Sequence, residues 1–209
     1  MIKDRRLFLI RHCQSAVDAT RDPSTWGLTP RGAKDAGRLA RSSLFSGTAV
    51  VAAGDEPKMV ESVRPLADQL AIGLGVSAGL RESTSGGWVP DSEFEHVVRR
   101  FLEVPGQAPA VGWESAETTV DRFLTEVEEL AATEPAGDIV VCTGGRVLTA
   151  TLIQIGLLST EDALDAWSAL QMPDVVPVAF NNRGEPSLPG SPLVDTMLDA
   201  PKGDDGNPD

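Results

Sequence analysis

The chain has 209 residues, 41% of them apolar, which suits one domain with a buried core. Eighteen basic residues against thirty-one acidic ones leave a net charge of −13, which argues against nucleic acid or an anionic membrane surface as a partner. No apolar run has the length of a membrane span or a signal-peptide core, and two cysteines, Cys13 and Cys142, are too few for a disulfide scaffold. The expectation is a cytoplasmic protein with small-molecule chemistry.

The run Leu7 to Ile10 reads as a buried parallel strand that hands Arg11 and His12 to the turn Arg11-His12-Cys13-Gln14-Ser15. In open α/β sheets ligands bind at that edge, and a cation beside an imidazole suits a phosphate. The sequence holds only one other histidine, His96, so the placement carries weight; the alternative is a half-buried histidine satisfied by a backbone carbonyl. Residues 16–27 read as a loop with Trp26 as an anchor. A helix then starts at Pro30, capped by Thr29, and runs to about Ser43 with Ala33, Ala36, Leu39, Ala40 and Leu44 inward.

Ala49 to Ala53 is a second buried strand, followed by a helix with Met59, Val60, Val63, Leu66, Ala67 and Leu70 inward and a bend expected at Pro65. Val76-Ser77 reads as a short edge strand leading through Leu80-Arg81-Glu82 to a loop with Gly86-Gly87-Trp88. Helices are expected over Glu93 to Glu103, with His96 on the outer flank, and from Ser115 to about Ala132. Asp138 to Cys142 is a third strand, and Thr143-Gly144-Gly145 turns it into the helix Arg146 to Ile155, an arrangement able to seat an anion on backbone N–H groups. Ser159 and Asp162 cap one more helix, and Val175 to Phe180 is a last strand, placed at an edge by Pro177.

Alternating strands and helices imply an α/β fold, a doubly wound, mostly parallel sheet with helices on both faces, over residues 1–180. Residues 181–209 hold six acidic side chains against Arg183 and Lys202, with five prolines and four glycines, and are expected to form a disordered acidic tail. No pattern for a metal, a nucleotide or another cofactor is present, and the sequence leaves the oligomeric state open.

In order, Arg11-His12-Cys13-Gln14-Ser15, Leu28-Thr29-Pro30-Arg31-Gly32, Lys58, Glu82 before Gly87-Trp88, Trp113-Glu114-Ser115 and Thr143-Gly144 resemble the motifs of the histidine phosphatase superfamily, the phosphoglycerate-mutase-like proteins. The likeness spans most of residues 7–180. It implies a phosphoglycerate-mutase-like fold and a small phosphorylated substrate or ligand. It also implies a reaction in which His12 attacks phosphorus and water releases the phosphohistidine. Arg11 would clamp the phosphate, and Glu82, with a raised pKa, would protonate the leaving oxygen and later accept a proton from water.

Three positions depart from the family pattern. Thr143 stands where the family has a second catalytic histidine, Lys58 where it has a second arginine, and Cys13 where it has glycine. Thr143 and Gly144 would still seat the phosphate, and Arg64 or Arg146 could supply a compensating cation. Cys13 and Cys142 could form a redox-sensitive thiol pair. Three functions stay open: weak phosphomonoester hydrolysis through His12, a catalytically impaired phosphate- or ligand-binding protein, and a repurposed enzyme in which His12 is a base.

Overall fold

The computed structural model describes residues 2–134 and 136–189; the side chain of Asp91 lies outside that description. Residues 190–209, most of the expected tail, lie outside the described residues. Six strands form one sheet in the order β3-β2-β4-β1-β5-β6, where β1 is Arg5–Arg11, β2 Thr48–Gly54, β3 Leu74–Ser77, β4 Asp138–Thr143, β5 Asp174–Phe180 and β6 Pro186–Ser187. The first four in space are parallel to one another, and β5 and β6 are antiparallel additions. The described residues form six α-helices: α1 (Pro30–Ala40), α2 (Pro57–Leu70), α3 (Asp91–Glu103), α4 (Ala116–Thr133), α5 (Gly145–Gln154) and α6 (Ala163–Ala169).

The two-residue alternation of β1 builds both cores. Phe8 and Ile10 pack with Val140 and Cys142 against Leu39 of α1 and Met59, Val63 and Leu66 of α2. Leu7 and Leu9 pack with Ile139 and Val141 against Phe123 and Val127 of α4 and Leu148 and Leu152 of α5. A third cluster joins Val98, Phe101 and Leu102 of α3 to Val120, Ala150 and Ala163. The sheet is therefore covered on both faces, as the strand pattern requires.

Several boundaries differ from the sequence expectation. α1 stops at Ala40, a short 3-10 turn takes Ser43–Phe45, and Ala33 faces solvent. α2 runs unbroken through Pro65. β5 is not the edge: β6 pairs with Ala179 and Phe180 only, so Pro177 needs no partner on that flank. Ordered structure thus continues past residue 180, through a turn in which Asn181 accepts from Arg183 and Glu185, into β6. Among the described residues no helix is long and apolar enough to cross a membrane.

Candidate active site

β1 and β4 end side by side, and the chain beyond them opens on a pocket of about 380 Å³ lined by Arg11, His12, Lys58, Glu82 and Arg146 together with Glu56 and Gly145. The loop after His12 is fixed from three sides. His12 N–H donates to the Thr143 carbonyl (3.1 Å), Thr29 N–H donates to the Gln14 carbonyl (3.0 Å), and Cys13 N–H donates to Ser62 Oγ (2.8 Å). Gly32 must be glycine because a Cβ there would stand 2.3 Å from the Gln14 carbonyl oxygen. That contact explains the Leu-Thr-x-x-Gly spacing: Thr29 caps α1 at the Gly32 N–H, and α1 then braces the loop.

His12 is buried, with Nδ1 2.8 Å from the Cys13 carbonyl. A carbonyl only accepts, so Nδ1 carries the proton and Nε2 keeps its lone pair while the ring is neutral. The ring does stay neutral: burial, helped by the charges of Lys58 and Arg11, pulls its pKa down to about 4. The backbone carbonyl that satisfies Nδ1 thereby also fixes Nε2 as the unprotonated ring nitrogen.

The cations are unequally free. Arg11 Nη1 donates to the Leu170 carbonyl (2.6 Å), and among the described residues Nη2 has no hydrogen-bond partner, so it can serve a ligand. Lys58 is buried, donates to the Pro23 carbonyl (2.8 Å) and is ion-paired with Glu56, so its charge is already met. Glu56 also accepts from Glu82 N–H (2.9 Å). Arg64 is exposed and away from the pocket, which removes it as a compensating cation. Arg146, by contrast, is buried. Its guanidinium lies 4.5 Å from the Trp113 ring centre and 5.6 Å from that of Phe94, Nη2 donates to the Ser83 carbonyl (3.1 Å), and Nη1 has no partner among the described residues.

Glu82 occupies the seat that the sequence reserves for a phosphate. Its carboxylate accepts from Ser83 N–H (2.9 Å) and, at the start of α5, from Arg146 N–H and Val147 N–H (3.3 Å each), with Arg146 Nε at 3.6 Å. A Cβ at Gly144 would sit 2.0 Å from Glu82 Oε2, so Gly144 admits the carboxylate and does not line the pocket. Gly145 plays the matching part for Arg11 Nε and Trp167 Nε1, at 3.1 and 3.3 Å from the corresponding position.

Burial alone would raise the Glu82 pKa; the Arg146 charge and the N–H groups of Ser83 and Arg146 outweigh it and hold the carboxyl below its usual range. This reverses the expectation of a raised pKa, because the donors at the α5 terminus favour the ionised form.

Thr143 is also reassigned. It is fully buried, its hydroxyl donates to the Leu80 carbonyl (2.8 Å), and it does not line the pocket. Cys13 and Cys142 are buried with thiols pushed up, Cys13 to about 11 and Cys142 well above its usual value, so neither is the reactive thiolate that a redox pair needs. Cys13 has no positive φ, so no glycine is required there. Among the described residues no cluster of three His, Cys, Asp or Glu side chains could hold a metal ion.

Sequence reasoning missed Glu56, Ser62 and Arg122. Arg122 donates to the Gly79, Arg81 and Glu82 carbonyls and, through two nitrogens, to Glu114, clamping the segment that carries Glu82. The Glu114-Ser115 motif at the start of α4 was its only sequence signal, and Glu114 holds Thr84 N–H as well.

Comparison of the sequence with curated proteins finds no match. Solved structures of similar shape include the Bacillus stearothermophilus protein YhfR, 16% identical with TM-score 0.73 over 91% of this chain and 100% of that one. A mycobacterial glucosyl-3-phosphoglycerate phosphatase is 18% identical with TM-score 0.67, covering 88% and 96%. A phosphoserine phosphatase mutant from Entamoeba histolytica, bound to phosphoserine, is 14% identical with TM-score 0.70, covering 93% and 100%. At these identities the structures establish the fold, and the family model for branch 1 of the histidine phosphatase superfamily matches residues 7–171. The chain therefore belongs to the histidine phosphatase superfamily.

Proposed function

We propose that the protein hydrolyses a phosphomonoester through a phosphohistidine on His12. The observation that carries this reading is the tautomer: Nδ1–H is spent on the Cys13 carbonyl, so a neutral His12 keeps the Nε2 lone pair beside Arg11. Nε2 attacks phosphorus, the ester oxygen leaves with the bonding pair, and the phosphoryl group passes to the ring. Arg11 Nη2 balances charge on the phosphoryl oxygens. Water then attacks phosphorus, the P–N bond breaks back onto His12, and Glu82 takes the water proton. An ionised Glu82 suits this second step directly. Similar structures that are phosphatases, one bound to phosphoserine, support a phosphate ester as the ligand.

Turnover should be slow. Thr143 offers no donor to the pocket, and losing one preorganised donor costs on the order of 10² to 10³ in rate. The same observation, with Lys58 already neutralised by Glu56, favours the second reading, a protein that binds phosphate esters without turnover.

Hydrolysis of para-nitrophenyl phosphate over pH 4 to 9 by wild type and His12→Ala decides between them. The enzyme reading expects a His12-dependent rate that falls on the order of 10³-fold or more in the variant. Equal rates in the two folded proteins sink it and leave binding.

A further inference from the structure

Resting on the hydrolase reading, we propose that the pocket is built for phosphomonoesters of flat, aromatic alcohols, that is, aryl phosphates, rather than for sugar or polyol phosphates. Two independent features of the site carry this.

The first is the wall. Aromatic residues are only 5% of the chain, yet all four tryptophans, Trp26, Trp88, Trp113 and Trp167, line this pocket with Phe94. Phe94 meets Trp167 at 5.8 Å in an edge contact and Trp113 at 6.3 Å, so one side is a continuous aromatic surface. Trp113 and Phe94 are partly used in holding Arg146, which leaves Trp26, Trp88 and Trp167 to face a ligand. At the mouth, Trp88 is 41% and Met172 39% exposed, two of the six large apolar side chains left exposed among the described residues. A flat apolar ring entering here covers surface that water otherwise wets.

The second is the state of the Glu82 carboxylate, which lines the same pocket as His12. Glu82 is held by three backbone N–H groups and the Arg146 guanidinium, an arrangement that offers its oxygens only donors. An ester oxygen leaving as an alkoxide needs a proton from such a group; an aryloxide does not, because the ring delocalises its charge. The first step therefore balances without an acid. His12 Nε2 forms the bond to phosphorus, the P–O bond breaks, and aryloxide departs with the electron pair. In the second step the water proton goes to Glu82. General acid catalysis is worth about 10² to 10⁴ in rate, and only esters with acidic alcohols can do without it.

Three esters separate the two features. Phenyl phosphate has the ring and the acidic alcohol, benzyl phosphate the ring alone, and glycerol phosphate neither. We expect kcat/KM to fall in that order, with phenyl above benzyl by about 10² or more and benzyl above glycerol by about tenfold from the aromatic wall. Trp88→Ala should narrow the benzyl-to-glycerol ratio, mainly through KM.

Glycerol phosphate turned over as fast as phenyl phosphate, with the rate lost in His12→Ala, overturns this inference and leaves the hydrolase reading intact. Rates on all three that are the same in wild type and His12→Ala overturn both.

Discussion

β1 and β4 are parallel neighbours, paired in register from Leu7 with Ile139 to Arg11 with Thr143, and they reach the same edge of the sheet. They use it in opposite ways. β1 ends in groups that keep capacity for a ligand: a neutral His12 with an unprotonated Nε2 and Arg11 with a nitrogen unpaired among the described residues. β4 ends in groups that are already satisfied: a threonine hydroxyl bonded to Leu80, and an α5 terminus whose N–H groups hold Glu82. A glycine turn from strand to helix is thus an anion seat in either case, and the anion here is the protein's own carboxylate. In the proposed hydrolase, recognition of phosphate then falls to side chains, chiefly Arg11.

The sharpest way to break this contrast is Gly144→Ala. The backbone there is extended, with φ −93°, so alanine fits the chain itself, but its Cβ meets the end of the Glu82 side chain. The carboxylate must leave the helix terminus while the sheet and α5 stay in place. Phosphatase rate should drop on the order of 10² to 10³, as when a preorganised group at the transition state is lost, with only a small change in melting temperature. A full rate in Gly144→Ala would mean that Glu82 does not act from the seat it occupies.

A second measurement compares the two edges through pH. His12 has a folded pKa of about 4 against an ordinary value near 6.5, so the unfolded chain takes up a proton first as pH falls. Stability is unaffected above about pH 6.5 and declines between about 6.5 and 4, by about 3 kcal/mol in all. Glu82 is depressed from a lower starting point, so its share is lost only as pH falls through its own folded pKa. Denaturant unfolding at stepped pH should show the first decline in wild type and not in His12→Gln. A decline that persists in the variant would mean that His12 is not held neutral by its surroundings.

Much of this edge was legible in sequence because it is local. The strand run before Arg11-His12, Thr29 with Pro30 at the start of α1, and Gly144-Gly145 at the start of α5 each follow from propensities within five residues. What was not legible joins distant segments. Glu56 reaches Glu82 across 26 positions, Glu82 caps a helix 64 positions away, and Arg122 clamps carbonyls 40 or more positions back. The sequence offers Arg146 only as a compensating cation, but its neighbours Val147-Leu148-Thr149-Ala150-Thr151-Leu152 carry no charge, and every residue from Gly145 to Leu152 is buried. A helix without a wet side leaves an arginine nowhere to go but inward, which is the signal that could have found it.

Thr143→Val gives the smallest effect and tests the quiet edge directly. If Thr143 belonged to the phosphate site, removing its hydroxyl would weaken catalysis or binding. The geometry assigns it instead to the Leu80 carbonyl, inside a fully buried strand end. Valine keeps the shape and leaves that carbonyl without its donor, a loss of about 1 to 2 kcal/mol. Stability should therefore fall by that amount while kcat and KM for para-nitrophenyl phosphate hold. The reverse result, a changed KM at unchanged stability, would return Thr143 to the pocket and make the two strand ends alike. Because β4 here carries a hydroxyl that packs rather than an imidazole that reaches, the proposed chemistry rests on what β1 presents and on how firmly α5 holds Glu82.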